Sequence, residues 1–145
     1  MTSARSRDDG SVLMLVPAAV LVLLILGAIA VDSAVVFLAE RDLSNRTAAA
    51  ANDIAGSAAD EASFYRGGGE IRLDPPTADA YAARVFSEAR RPQGYDDWRG
   101  AASVAGRQVT VTAEATVRLV FAPAIPGVSR TTTVQARSVA TARGG

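Results

Sequence analysis

Cysteine, histidine and lysine are all missing from this 145-residue chain. No disulfide can form, and the commonest general base and the best transition-metal ligands are absent together. An enzyme built from this composition would need a carboxylate, serine or tyrosine constellation. Aromatic residues are few, eight in all (four Phe, three Tyr and one Trp), and much of the 49% apolar content is alanine. Charge of one sign is lacking as well, because fifteen Arg balance fifteen acids. Past residue 39 there are thirteen Arg and twelve acids, a difference of one. That balance supplies no long-range attraction for nucleic acid. The length allows one modest domain plus an anchor.

What the chain does have is a long hydrophobic run. From Val12 to Val31, "VLMLVPAAVLVLLILGAIAV", twenty residues pass without a charge. At about 1.5 Å per residue they span about 30 Å, the thickness of a bilayer's hydrocarbon core. Pro17 and Gly27 lie near its two ends, where membrane helices tolerate them. Ala28-Ile29-Ala30 fits the small-x-small pattern of a signal cleavage site, so Ala30 is one candidate processing position. The run is longer than a usual signal core, and the apolar pattern continues through "SAVVFLA". Both features favour an uncleaved signal-anchor. Arg5 and Arg7 precede the run and Arg41 and Arg46 follow it, so the flanking charges nearly cancel as a guide to orientation. A short tail inside and a long domain outside is the simpler arrangement.

Beyond Asp32 the helical pattern continues. Val36, Ala39, Leu43, Ala50, Ile54 and Ala58 recur at helical spacing, which predicts a stripe reaching about Asp60. Two occupants suit that stripe: the chain's own domain, or a neighbouring helix admitted by the small side chains. "RGGGE" at Arg66–Glu70 ends the pattern and lacks the Lys-Ser/Thr of a phosphate-binding loop. A second helix is predicted over Thr77–Arg91, following Pro75 and Pro76, with Thr77 or Asp79 as its cap and Pro92 as its stop.

The remainder alternates. In "RQVTVTAEATVRLVF", Val109, Val111, Ala113, Ala115, Val117, Leu119 and Phe121 point one way, as in a half-buried strand. "TTTVQARSVATAR" forms another, with Val134, Ala136 and Ala140 on one side, after a hairpin loop "APAIPGVSR". A short strand near Ala102–Val104, turning at Ala105–Gly106, completes the set. "YDDWR" at Tyr95–Arg99 reads as a solvated turn with Trp98 packed on the sheet, because adjacent aspartates rarely make a matched acid–base pair. "NRT" at Asn45–Thr47 falls in mid-helix and reads as a chance sequon. The expected fold is α+β: a long N-terminal transmembrane helix continuing into a small two-layer domain with one further helix and a roughly three-stranded antiparallel sheet. Its parts are a tail (1–11), a membrane helix (12–31), an extramembrane helix (32–65), a linker (66–76) and an external domain (77–145).

With these residues in view, the segment "DDGSVLMLVPAAVLVLLILGAIAVDSAVVFLAERDLSNRTAAAANDIAGSA" resembles the N-terminus of TadE/TadG-like proteins of tight-adherence (Tad, or Flp) pilus systems. Ala30-Val31-Asp32 matches their Ala-Val-Asp step, Phe37 takes the aromatic place, and Leu43-Ser44-Asn45 followed by Ala48–Ala51 matches the small-residue helix. "LDPPTADAYAARVF" and the terminal "SVATA" are similar to short actinobacterial members. The resemblance implies a membrane-anchored accessory or minor-pilin-like component of a surface pilus or its secretion apparatus, not an enzyme. The chain departs from pilin-type precursors at one point. A cut after Gly10, the other candidate processing position, would put Leu15 where they carry Glu. It is also too short for the von Willebrand-type domain of larger relatives.

The expected assembly determinants are Asp32 together with Val36, Leu43, Ala50 and Ile54. Asp32 lies one bilayer thickness along the helix, where a carboxylate either marks the exit point or pairs with a cation on a partner. Expected partners are membrane lipid and other pilus-assembly subunits, with no cofactor, metal, nucleic acid or small-molecule substrate. The expected location is a single-pass plasma-membrane protein with a cytoplasmic N-terminus. The alternative is a cleaved, secreted small binding domain with no pilus role.

Overall fold

A computed structural model describes residues 9–57, 73–87 and 90–142. One helix, α1, runs from Asp9 to Ser57, 49 residues that extend about 74 Å at about 1.5 Å each. Pro17 stands inside it without ending it. A short helix α2 (Pro75–Val85) follows, then three strands of eleven residues each: β1 (Tyr95–Ala105), β2 (Gln108–Arg118) and β3 (Thr131–Thr141). The strands form an antiparallel meander in the order β1-β2-β3. The architecture is thus α+β, with a long apolar N-terminal helix, one further helix and a three-stranded sheet.

The two helices cover one face of the sheet. The second half of α1 lies across β2 and β3, and α2 lies against β1. Alternation along β2 sets that face: Val109, Val111, Ala113, Ala115 and Val117 are all buried. Opposite them, α1 buries Ala39, Leu43, Thr47, Ala50, Ala51, Ile54 and Ala55, with Val35 and Val36 partly covered. The helix stripe therefore packs on the chain's own sheet. Small residues on both surfaces bring helix and sheet close, and the few large side chains carry most of the burial. Each contributes about 1.5–3 kcal/mol. Thr47, the one buried polar residue among those described, donates its hydroxyl to the Leu43 carbonyl at 2.7 Å. Its polarity hid it from the apolar pattern, and its bond leaves nothing unsatisfied. Ala58 of the expected stripe and the glycines of "RGGGE" lie outside the described residues.

Several boundaries differ from those expected. Helix α2 begins at Pro75, not Thr77, and its cap is Asp74, whose carboxylate accepts the Thr77 N–H at 3.1 Å. Both prolines occupy the first turn, where their missing N–H groups cost nothing. The last part of the expected linker is accordingly structured, and Leu73 is buried. The helix ends at Val85, not Arg91, because Phe86 leaves the helical path and lays its ring beside Trp98, 5.0 Å between centroids. That ring also lies over Gly100, where a Cβ would come within 2.6 Å of Phe86 Cγ.

Strand β1 is much longer than Ala102–Val104. "YDDWR" is its first five residues and not a turn; a register shift between Tyr95 and Asp97 lets Asp96 escape the alternation. Its two aspartates face different cations, since Asp96 pairs with Arg118 and Asp97 with Arg99. Trp98 is buried, as expected. The β1–β2 turn is Gly106–Arg107, one residue later than expected, with Gly106 at φ 61° in the left-handed region that such a two-residue loop asks of its first residue. At the other end β2 stops at Arg118, so Leu119 and Phe121 leave the inward row and Phe121 is exposed.

Candidate functional site

A polar contact made by one side chain to three backbone groups joins α1 to the β2–β3 loop. Asp32 lies one residue past the charge-free run, and its carboxylate accepts four backbone contacts from the β2–β3 loop. Oδ1 is 2.7 Å from the Val120 nitrogen and 3.0 Å from that of Phe121; Oδ2 is 3.3 Å from Phe121 and 2.8 Å from Ala122. These N–H groups open a single 3₁₀ turn, Ala122–Ala124, and would otherwise lack partners. Asp32 thus caps a turn some ninety residues away in sequence. The three N–H groups, Phe121's foremost, hold its carboxyl below the ordinary aspartate range against a smaller opposing effect of desolvation.

The loop so captured has its own rigidity. Leu119 N–H donates to the Arg130 carbonyl at 2.9 Å and closes its base. Ala124 and Ile125 N–H groups donate to Phe121 and Ala122. Pro126-Gly127 forms the corner of a tight turn in which Val128 N–H reaches Ile125 O at 3.2 Å, with Gly127 at φ 81°. Between Arg118 and Arg130 no residue is charged. Four apolar side chains nevertheless remain open to solvent: Val120 at 58%, Phe121 at 44%, Ile125 at 53% and Val128 at 46%.

The charge-free run ends directly beside this loop. From Leu15 to Gly27 every residue of α1 is exposed, and the helix is long and apolar enough to cross a membrane. Phe37 and Leu38, just past Asp32, are exposed too. Exposed apolar side chains therefore lie on both partners of the Asp32 clasp, the helix before it and the loop it holds.

A second polar group fastens β1 to α1 higher up. Asp42 pairs with Arg46 at 2.9 Å, and the Tyr95 hydroxyl lies 3.3 Å from Asp42 Oδ2 and 3.4 Å from the Ala39 carbonyl. Burial, and then the Asp42 charge, push the Tyr95 hydroxyl up to about 12, so it remains a protonated donor through the neutral range. Arg46 reaches over the Trp98 ring, 5.7 Å from its centroid. On the uncovered face of the sheet, Arg99, Thr112, Glu114, Gln135 and Arg137 border a shallow, open depression of about 540 Å³. Arg99 there is already engaged by Asp97 and Glu114, each at 2.8 Å. Among the described residues no three His, Cys, Asp or Glu side chains come together.

Of the expected assembly residues, Leu43, Ala50 and Ile54 lie in the domain core, and Val36 borders it. Asp32 is separate from them and faces the loop, and its partners among the described residues are backbone N–H groups. Ala30 and Gly10 both lie within the continuous helix. Sequence reasoning missed the loop as Asp32's partner. The available signal was an eleven-residue uncharged stretch, Leu119–Ser129, rich in apolar residues and closed by prolines.

Replacing Asp32 by alanine is expected to speed amide exchange at Val120, Phe121 and Ala122 toward that of unprotected amides. Protection in the strands should be retained. Acid should do the same to the parent chain: a lowered pKa means that the clasp contributes at neutral pH and is lost as pH falls through that pKa. Exchange at those three amides unchanged by either treatment would show that the clasp does not hold the loop. Comparison with known proteins adds no relative, since no family model, curated protein or solved structure matches this chain.

Proposed function

We propose that the chain is a membrane-anchored accessory or minor-pilin-like component in the assembly of a Tad/Flp-type surface pilus or its secretion apparatus. Its tail faces the cytoplasm and its sheet domain lies outside. The observation that carries the anchoring is the division of α1. From Leu15 to Gly27 it is apolar and uncovered, while its second half is the packing partner of the sheet. A bilayer is the environment in which such an uncovered apolar run is stable. The pilus assignment rests on the resemblance carried by Ala30-Val31-Asp32, Phe37 and the small-residue helix. The role is structural. The open, ion-paired depression on the sheet favours protein contact over enclosure of a substrate, since small-molecule sites are concave and mostly apolar.

Membrane fractionation with alkaline extraction tests the anchor, and deletion of the gene with counting of surface pili tests the role. The full-length chain should stay in the pellet, and pili should be lost on deletion and restored by the intact gene. A shortened chain beginning near Val31 in the medium would instead establish the secreted-domain alternative. Normal piliation in the deletion strain would end the pilus reading and leave the anchor standing.

A further inference from the structure

We infer that the β2–β3 loop, residues 119–129, is a second membrane contact whose apolar side chains enter the outer lipid interface beside the span. The inference rests on the anchored reading of α1. If the charge-free run fills the hydrocarbon core, its last residue, Val31, lies at the core's outer edge. Asp32 then lies in the headgroup zone, where an ionised carboxylate is hydrated. The four contacts at 2.7–3.3 Å fix the backbone of Val120, Phe121 and Ala122 to that same level. The loop cannot stand away from the bilayer without breaking them.

Its chemistry suits that position. The loop carries four exposed apolar side chains and no charge, and arginines stand at its two ends, Arg118 paired with Asp96 and Arg130 after Ser129. Arginine at the borders of an apolar insertion can reach back to lipid phosphates, a pattern that favours an anionic surface. Its backbone polar groups are largely turned inward, by the base pair Leu119–Arg130, by the 3₁₀ turn and by the Pro126-Gly127 corner. That satisfies the main condition for placing irregular backbone near lipid. At the opposite end of the sheet, around Ala105–Arg107, the described residues form no comparable apolar cluster.

The lack of native cysteine permits a direct test. Single-cysteine variants Ile125→Cys, Ala105→Cys and Leu23→Cys of the full chain, each labelled with an environment-sensitive fluorophore, are reconstituted into phosphatidylcholine–phosphatidylglycerol vesicles. Quenching by nitroxide carried on lipid chains is compared with quenching by aqueous iodide. The label at Ile125 should lose most of its fluorescence to the lipid quencher and little to iodide, as at Leu23, while the label at Ala105 shows the reverse. Iodide access at Ile125 equal to that at Ala105, with Leu23 lipid-quenched, would overturn the loop contact and leave the anchor intact. Protection of Ile125 from both quenchers would overturn it in favour of a protein cover, such as a second copy. Iodide access at Leu23 would refute the anchor, and the loop contact with it.

Discussion

Replacing Leu43 by alanine is expected to destabilise the domain by about 2–5 kcal/mol, the usual cost of truncating a buried leucine. The side chain is fully covered and is packed between α1 and the sheet. Much of the surrounding core is alanine, from Ala39 and Ala50 on the helix to Ala113 and Ala115 on the strand. Such neighbours have no long side chains with which to fill a void, which places the cost toward the upper part of that range. For a domain of this size each kcal/mol lowers Tm by about 4–8 °C. Thermal unfolding of the full chain in detergent, followed by circular dichroism, should therefore show a drop of at least about 8 °C. Leu38→Ala is the matched control, since Leu38 lies five residues earlier on the same helix and is exposed; its effect should stay within about 0.5 kcal/mol. Equal, small effects at both positions would mean that the stripe does not hold this domain together and is free for a neighbouring subunit.

Trp98→Ala should cost about 3–5 kcal/mol, as expected for removing a buried aromatic ring. The ring is a junction: Phe86 from the end of α2 lies 5.0 Å away, Tyr95 meets it edge-on at 6.0 Å, and Arg46 of α1 covers it. Its Nε1–H donates to the Ser87 carbonyl at 3.2 Å, which holds the chain just past α2. Loss of the ring would also leave Phe86 without its main partner above Gly100. Trp98→Phe separates the contributions. It keeps most of the apolar contact and forfeits the hydrogen bond, at about 0.5–1.5 kcal/mol. At about 4–8 °C per kcal/mol, the alanine variant should unfold at least about 12 °C below the parent. A Tm within a few degrees of the parent would show that α2 is fastened by other means.

Those two positions also show what could be read in advance. Leu43 was legible because helical recurrence and burial coincide, and β2 was legible because strict alternation has one physical reading. The wider helix face was only partly legible. Thr47 breaks an apolar pattern while its hydroxyl bonds to its own helix. Strand β1 was obscured because Asp96 and Arg99 of "YDDWR" find ion-pair partners on β2, and Gly100 makes room for a ring arriving from elsewhere. The C-terminus of α2 was misjudged because local propensity favours continuing through "SEARR", while Phe86 is anchored against Trp98. Asp32 was marked as a boundary, but its partner could not be found by spacing. A contact spanning ninety residues depends on where β2 ends and how its loop folds back.

The continuity of α1 has a mechanical consequence. The part that crosses lipid and the part that supports the sheet are the same rod, and no described residue between Val31 and Val36 leaves the helical path. From Asp32 to Ser57 that rod is about 39 Å long at about 1.5 Å per residue. A tilt of about 20°, ordinary for a single span, would swing its far end sideways by about 13 Å. A sideways pull on the sheet would, by the same leverage, reach the lipid-embedded half as torque, with the fulcrum near Asp32.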